Sequence, residues 1–210
     1  PIDDCPRDAV DHRLRREQQV DAHAAVLVEV AGAIVPVRVQ PAVVGPASAE
    51  DVIDLLRQNV FPSAAAREHV NRFVDALAFN WIIGGTDAHA KNYSVLFAGP
   101  QVRLAPMYDV ASTLAYDNMY GPRLRMAMKV GGEYRPEAIR ARHWLRFASA
   151  NDLDHDEVIH RVDSLAARTP DAFATAAKDK SVRALRSKLP SRLVERITTR
   201  ATDCRAMLAQ

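Results

Sequence analysis

Asp87, Asn92 and Asp109 are the residues whose types and spacing could do chemistry. They lie in Gly84-Gly85-Thr86-Asp87-Ala88-His89-Ala90-Lys91-Asn92-Tyr93-Ser94 and, downstream, in Leu104-Ala105-Pro106-Met107-Tyr108-Asp109. Phosphoryl transfer asks a protein for positioning, for a carboxylate near the attacking hydroxyl, and for oxygen ligands that hold Mg²⁺ against the phosphates of a nucleoside triphosphate. Asp87 suits the carboxylate that orients this hydroxyl and accepts its proton. Asn92, five positions later, offers a ligand oxygen without charge. Asp109 suits the principal Mg²⁺ carboxylate, because Mg²⁺ takes few carboxylates and completes its octahedron with waters and phosphate oxygens. Lys91 and His89 could neutralise phosphate charge, and His89 could also contact the nucleotide.

These residues need a rigid frame, and the pattern upstream supplies one. Val70, Phe73, Val74, Leu77, Ala78, Trp81 and Ile82 fall at three- and four-residue steps, which predicts a buried helix from about 64 to 83 that stops at Gly84-Gly85. Tyr93 to Phe97 and Val102 to Ala105 read as two short strands whose hairpin brings Asp109 back towards Asp87. Ser48 with Asp51 reads as a capping box for a helix whose apolar face holds Val52, Leu55 and Leu56, and Pro62-Ser63 reads as the cap of the next helix. Further along, Leu124, Met126, Met128 and Val130 alternate as in a strand. Pro136 reads as the start of a helix over 138–150, and Asp154 with Glu157 as a second capping box. Pro170-Asp171 reads as the opening of a helix to about Leu189, and Ser191 as the cap of a final one. Before residue 45, Val26, Val28, Val30 and Val35, Val37, Val39 alternate, which predicts short strands turning near Gly32.

Composition narrows the function classes. With 48% hydrophobic content, 6% aromatics and only 8 Gly in 210 residues, the expected fold class is mainly α (α+β). The net charge of +2 arises from 28 basic and 26 acidic residues spread along the chain, which argues against a direct nucleic-acid footprint. Cys5 and Cys204 stand far apart without zinc spacing, so a reducing cytoplasm is the expected setting. No apolar run approaches the ~20 residues a membrane span needs, so no membrane partner is expected.

The run Asn80 to Ser94, with its D-x-H-x-K-N core, followed by Leu104 to Thr113 with its Tyr108-Asp109 pair, closely resembles the HipA family of bacterial toxin kinases. The resemblance continues through Met126-Ala127-Met128-Lys129-Val130-Gly131-Gly132 and His143-Trp144, and covers about residues 45 to 165 well. It implies a serine/threonine protein kinase using ATP and Mg²⁺, of which this chain is mainly the helical C-terminal lobe, with a small β-hairpin carrying the catalytic and metal loops. It implies a catalytic role for Asp87 and Mg²⁺ binding by Asn92 and Asp109. It also implies a type II toxin–antitoxin setting, with a HipB-like DNA-binding antitoxin as partner and DNA reached only through it. The implied substrate is a protein, in the best-studied class an aminoacyl-tRNA synthetase.

The chain divides on this reading into 1–44, which is not family-like and reads as a remnant or altered N-terminal segment, and 45–210, the HipA-like lobe. No Gly-rich phosphate loop and no strand with a convincing lysine precede residue 45, although a kinase needs a lobe that covers the phosphates. Two alternatives therefore stay open beside the kinase. One is a non-catalytic fragment that binds an antitoxin-like partner. The other is a metal-dependent phosphoesterase, since Asp-x-His also begins two-metal sites.

Overall fold

The computed structural model describes residues 25–30, 33–38, 47–98, 101–117, 121 and 123–210. The expectations for residues 1–19, Cys5, the turn at Gly32, the boundary at Gly45-Pro46 and the hairpin tip at Gly99-Pro100 lie outside the described residues. In chain order the elements are strands β1 (Ala25–Val30) and β2 (Ala33–Arg38), helices α1 (Ala49–Asn59) and α2 (Ser63–Ile83), and strands β3 (Val95–Ala98) and β4 (Gln101–Leu104). Helices α3 (Ala141–Ala150), α4 (His155–Ala176), α5 (Lys180–Ala184) and α6 (Leu189–Leu208) follow. The protein is mainly helical, with one four-stranded sheet in the order β2-β1-β3-β4. The expected hairpin β3–β4 is antiparallel, with Val95 opposite Leu104, and β1 runs parallel to β3 with Val28 opposite Val95.

Helix α2 is the axis of the core. The side chains expected on its buried face, from Val70 through Ile82, are all buried, with Phe73, Trp81 and Ile82 fully so. Burying each large apolar side chain is worth about 1.5–3 kcal/mol relative to exposure, so this face fixes the helix that delivers the polar loop. Trp81 and Trp144 meet edge to face with ring centroids 5.7 Å apart, and Trp144 meets Phe147 the same way at 6.0 Å. Bidentate contacts from Arg161 Nε and Nη2 to Asp75, at 3.0 and 2.6 Å, clasp α4 to α2. At the other end of the core, Trp81 Nε1 and Arg200 Nη2 both donate to the Pro136 carbonyl at 2.9 Å.

The capping box of α1 forms as expected. Asp51 N–H donates to Ser48 Oγ at 3.2 Å and Ser48 N–H to Asp51 Oδ2 at 2.7 Å. The deepest residues of this helix are Ala49, Ile53 and Leu56, while Val52 and Leu55 pack partly buried. Ser63 is not a cap: the N-cap of α2 is Pro62, with no side-chain hydrogen bond. At the start of α4, Asp154 accepts from Glu157 N–H at 2.7 Å, the first half of the second capping box.

Three expected elements fold differently. Residues 124–130 form no strand. Their alternation does bury Met126, Met128 and Val130, but the pairing available to them is a tight return at Gly131-Gly132 with a single bridge from Val130 to Glu133. The helix after Pro136 begins only at Ala141, because residues 137–140 turn so that the Arg140 N–H donates to His143 Nδ1 at 2.9 Å. Burial, then the nearby Arg142 charge, lowers the His143 pKa, in keeping with a neutral ring that accepts a hydrogen bond. Finally, Pro170 starts no helix: α4 runs through it, and the chain then breaks into α5 and α6, with Lys188 rather than Ser191 as the cap of α6. Proline costs one hydrogen bond in a helix interior. Here Val162, Ala166 and Thr169, buried in the turns before that position, hold the helix against the core.

Candidate active site

The C-terminus of α2 sets the geometry of the polar loop. Gly84 takes the left-handed conformation (φ +65°) and ends the helix. Gly85 is required by close packing, since a Cβ there would lie 2.4 Å from Asn80 Oδ1. Asn80 itself is buried and donates to Ala76 O at 2.9 Å and to Tyr93 Oη at 3.2 Å, which fixes the floor of the loop. Burial pushes the Tyr93 phenol up to about 12, so it remains protonated as a hydrogen-bonding group.

The last carbonyls of α2 have no partner within the helix, and they are taken by the segment after Asp109. Ser112 Oγ donates to Ile83 O at 2.5 Å and Thr113 Oγ1 to Gly84 O at 2.8 Å. Beneath these contacts Ile83, Leu114 and Ile197 form a small apolar cluster joined by Phe79, Phe173 and Leu193. Two arginines of α6 hold the same segment from outside, Arg196 Nη1 donating to Leu114 O at 3.0 Å and Arg192 Nη1 to Ala115 O at 3.4 Å.

Between these anchors the expected residues converge. Asn92 Nδ2 donates to Asp109 Oδ2 at 3.1 Å and to the Asp87 carbonyl at 3.3 Å, so the buried Asn92 side chain ties the first acid's backbone to the second acid's carboxylate. The turn between them is tight: His89 N–H donates to Asp87 O at 2.8 Å and Asn92 N–H to His89 O at 2.9 Å. Asp109 adopts φ +54°, a conformation few residues other than glycine take. The side chains of Asp87, His89 and Lys91 are exposed and make no hydrogen bond or ion pair among the described residues. Thus Asn92 and Asp109 are brought into contact, while Asp87, His89 and Lys91 share one loop with their side chains directed to solvent.

Some contributors carry little sequence signal. The Tyr108 hydroxyl donates to Lys91 O at 2.8 Å and lies 2.6 Å from Ser94 Oγ, which staples the loop of Asp109 to the loop of Asp87 and Asn92. Ser112 caps the short turn Thr113–Ala115, but the contacts of Ser112 and Thr113 with the end of α2 span 29 positions and no local pattern announces them. A cavity of about 370 Å³ adjoins the pair, with Arg72, Phe79, Asn92, Leu104 and Met107 in its wall.

The donor set fits a Mg²⁺ ion. One carboxylate and one neighbouring amide, which could offer its oxygen once its nitrogen releases the carboxylate, would leave the remaining octahedral positions for waters and phosphate oxygens. Among the described residues no three His, Cys, Asp or Glu side chains gather to hold a metal, so the ligand set of a two-metal phosphoesterase is absent there. His143 and His155 are instead engaged in α3 and at the start of α4, on Arg140 N–H and Ser149 Oγ. Cys204 is a free, buried thiol whose pKa burial pushes up to about 12. No helix among the described residues is long and apolar enough to cross a membrane.

Comparison with known proteins gives one family. The chain is 31% identical over 174 residues to the Y4mE protein of Sinorhizobium fredii, an alignment that covers 83% of this chain and 38% of that protein. It is 30% identical over 96 residues to the serine/threonine-protein kinase toxin HipA of Shewanella oneidensis, covering 46% of this chain and 22% of that protein. The fold resembles a chain in the solved complex of HipA, HipB and operator DNA from Shewanella oneidensis, with a TM-score of 0.57 and 22% identity over 76% of this chain and 38% of that one. The chain therefore spans well under half the length of the relatives it matches. The family model for the HipA-like C-terminal domain matches residues 9–173, a span that takes in most of the segment 1–44 set apart by motif reading. With more than half of its residues inside that match, the chain belongs to the HipA-like C-terminal domain family.

Proposed function

We propose that this chain is the catalytic lobe of an ATP-dependent serine/threonine protein kinase, the toxin of a toxin–antitoxin pair acting in the cytoplasm. The observation that carries the reading is the contact of Asn92 Nδ2 with Asp109 Oδ2 at 3.1 Å, built onto the backbone of Asp87. In this reading Asp109 and Asn92 hold Mg²⁺, the amide turning its oxygen to the ion. The bound ion would draw the phosphate oxygens together and neutralise charge developing on the transferred group. Asp87, exposed at the head of the loop, orients the substrate hydroxyl and takes its proton. Lys91 and His89 stand in the same loop, where their charge and donors suit the phosphates of ATP.

The surface around the loop supports a covering partner. Met107, Tyr108 and Val110 are 41%, 37% and 44% exposed, an apolar rim on both sides of Asp109. Such a rim is expected where a second lobe closes over the phosphates. A HipB-like antitoxin is the proposed protein partner, by analogy with the complex of the structural relative. A protein hydroxyl, in the class of aminoacyl-tRNA synthetases, is the proposed acceptor. A non-catalytic unit that only binds the antitoxin is the second reading.

Titration calorimetry separates the two. The chain is expected to bind ATP in the millimolar range or tighter, about −4 kcal/mol or better, only when Mg²⁺ is present. Asp109→Ala should remove the Mg²⁺ dependence. Absence of Mg²⁺-dependent binding in the unaltered chain would leave the non-catalytic reading standing.

A further inference from the structure

Far along the chain from the catalytic loop, the broken segment between α4 and α6 builds a groove that the kinase reading does not use. Helix α4 ends at Ala176, the five-residue α5 follows, and Arg186 takes φ +49° before α6 begins at Leu189. The turn leaves a concave slot of about 260 Å³ walled by Phe173, Val182, Leu185, Leu189, Pro190 and Leu193. Its lining is almost wholly apolar, and Leu185 and Leu189 are 69% and 39% exposed. Exposed leucines converging on a concavity differ from scattered surface apolar residues, which need no explanation.

The charge of the segment that bends around the slot, residues 178–188, is one-sided. Lys178, Lys180, Arg183, Arg186 and Lys188 are all exposed, and none makes an ion pair among the described residues. The one acid among them, Asp179, is occupied as the cap of α5, accepting from Ser181 N–H at 2.8 Å. The basic residues of α6 nearest the slot are spent elsewhere, Arg192 and Arg196 on Asp117 and on the carbonyls of Leu114 and Ala115. The slot is therefore an apolar recess framed by free cations.

We infer that this groove docks an acidic amphipathic helix of a partner protein, its apolar side chains entering the slot and its carboxylates facing the cations around it. The volume falls below the roughly 300–1,000 Å³ of a small-molecule site and suits anchor side chains of a helix instead. Concavity separates this occupant from a lipid surface, which favours a projecting apolar face over a recess. The slot also has a physical link to the site, because Phe173 and Leu193 line it and pack into the cluster of Ile83 and Leu114 beneath the two loops.

The test uses the 210-residue chain and a fluorescein-labelled helical peptide with Leu and Phe at i, i+3, i+4 and i+7 and Glu elsewhere, read by anisotropy. Saturable binding is expected, with Kd on the order of 10–100 μM at low salt and weakening as salt rises. Leu185→Ser, at a position too exposed to threaten folding, should weaken it at least ~10-fold, and Arg183→Glu by a similar factor, each removing one of the two complementary features. Arg67→Glu, an exposed cation on α2, should leave it unchanged. The inference is overturned if the peptide fails to saturate at millimolar chain, or if Leu185→Ser binds it equally well. A Lys-for-Glu peptide that binds as tightly would also overturn it. So would anionic phosphatidylglycerol vesicles that bind through Leu185 while the peptide does not, or chain dimers that use Leu185 and exclude the peptide.

Discussion

Asp87→Asn is expected to lower phosphoryl transfer by about 10²–10⁴-fold, the range associated with losing a positioned general base, while leaving ATP affinity within about twofold. The separation follows from what each part of Asp87 does. Its backbone carbonyl accepts from Asn92 Nδ2 and from His89 N–H, and the substitution keeps both. Its side chain is exposed and carries no contact among the described residues, so the fold loses nothing with it. The measurement is slow ATP turnover by the chain, with water standing in for the acceptor hydroxyl, beside calorimetric affinity for Mg·ATP. Equal turnover in the variant would show that Asp87 is not the base; a parallel loss of affinity would show that it holds nucleotide instead.

Gly131→Ala should be the most damaging small substitution for folding. Gly131 sits at φ +53°, and a Cβ there would fall 2.0 Å from the carbonyl oxygen of His143 and 2.8 Å from its carbonyl carbon. The obstacle is backbone in the first turns of α3, which also carries the fully buried Trp144 and Phe147, so it has little room to yield. Conformational strain and overlap together should cost on the order of 3 kcal/mol or more. Gly132 is the internal control: its φ is +90°, but the nearest atom to an added Cβ is the flexible Arg146 Nη1 at 3.6 Å. Gly132→Ala should therefore cost only about 1 kcal/mol, the strain alone. Urea unfolding of the two variants reads the difference directly. Equal midpoints would mean that the His143 contact does not limit folding.

The parts legible in sequence are those whose causes are local. The apolar steps of α2, its stop at Gly84 and the Ser48-Asp51 box each depend on residues a few positions apart, and each forms where the pattern places it. The pairing of Asn92 with Asp109 was legible as a motif, because the hairpin between them has its own turn and alternation signals. What was not legible depends on distant partners. The alternation of Met126, Met128 and Val130 reports burial correctly, yet a strand also needs a continuous neighbour, and here the backbone pairing is confined to Glu133 against Val130 and Tyr134 O against Met126 N–H. Pro170 is a strong breaker locally, but buried Ala166 and Thr169 outweigh it. The left-handed Asp109 has no signature at all, since aspartate tolerates that conformation without demanding it.

If Asn92 and Asp109 together hold the cation of a bound nucleotide, Mn²⁺ in its place reports the contact at atomic range. In ¹⁵N-edited NMR spectra of the chain with ATP, substoichiometric Mn²⁺ is expected to broaden away the Asn92 side-chain amide and the Asp109 backbone amide. The side-chain amide of Asn151, which donates to Phe147 O in the core at 2.8 Å, should stay sharp. In Asp109→Ala the Asn92 signal should survive the same addition. An Asn92 amide that stays sharp in the unaltered chain, with broadening centred elsewhere or nowhere, would contradict the assignment of this pair as the metal site.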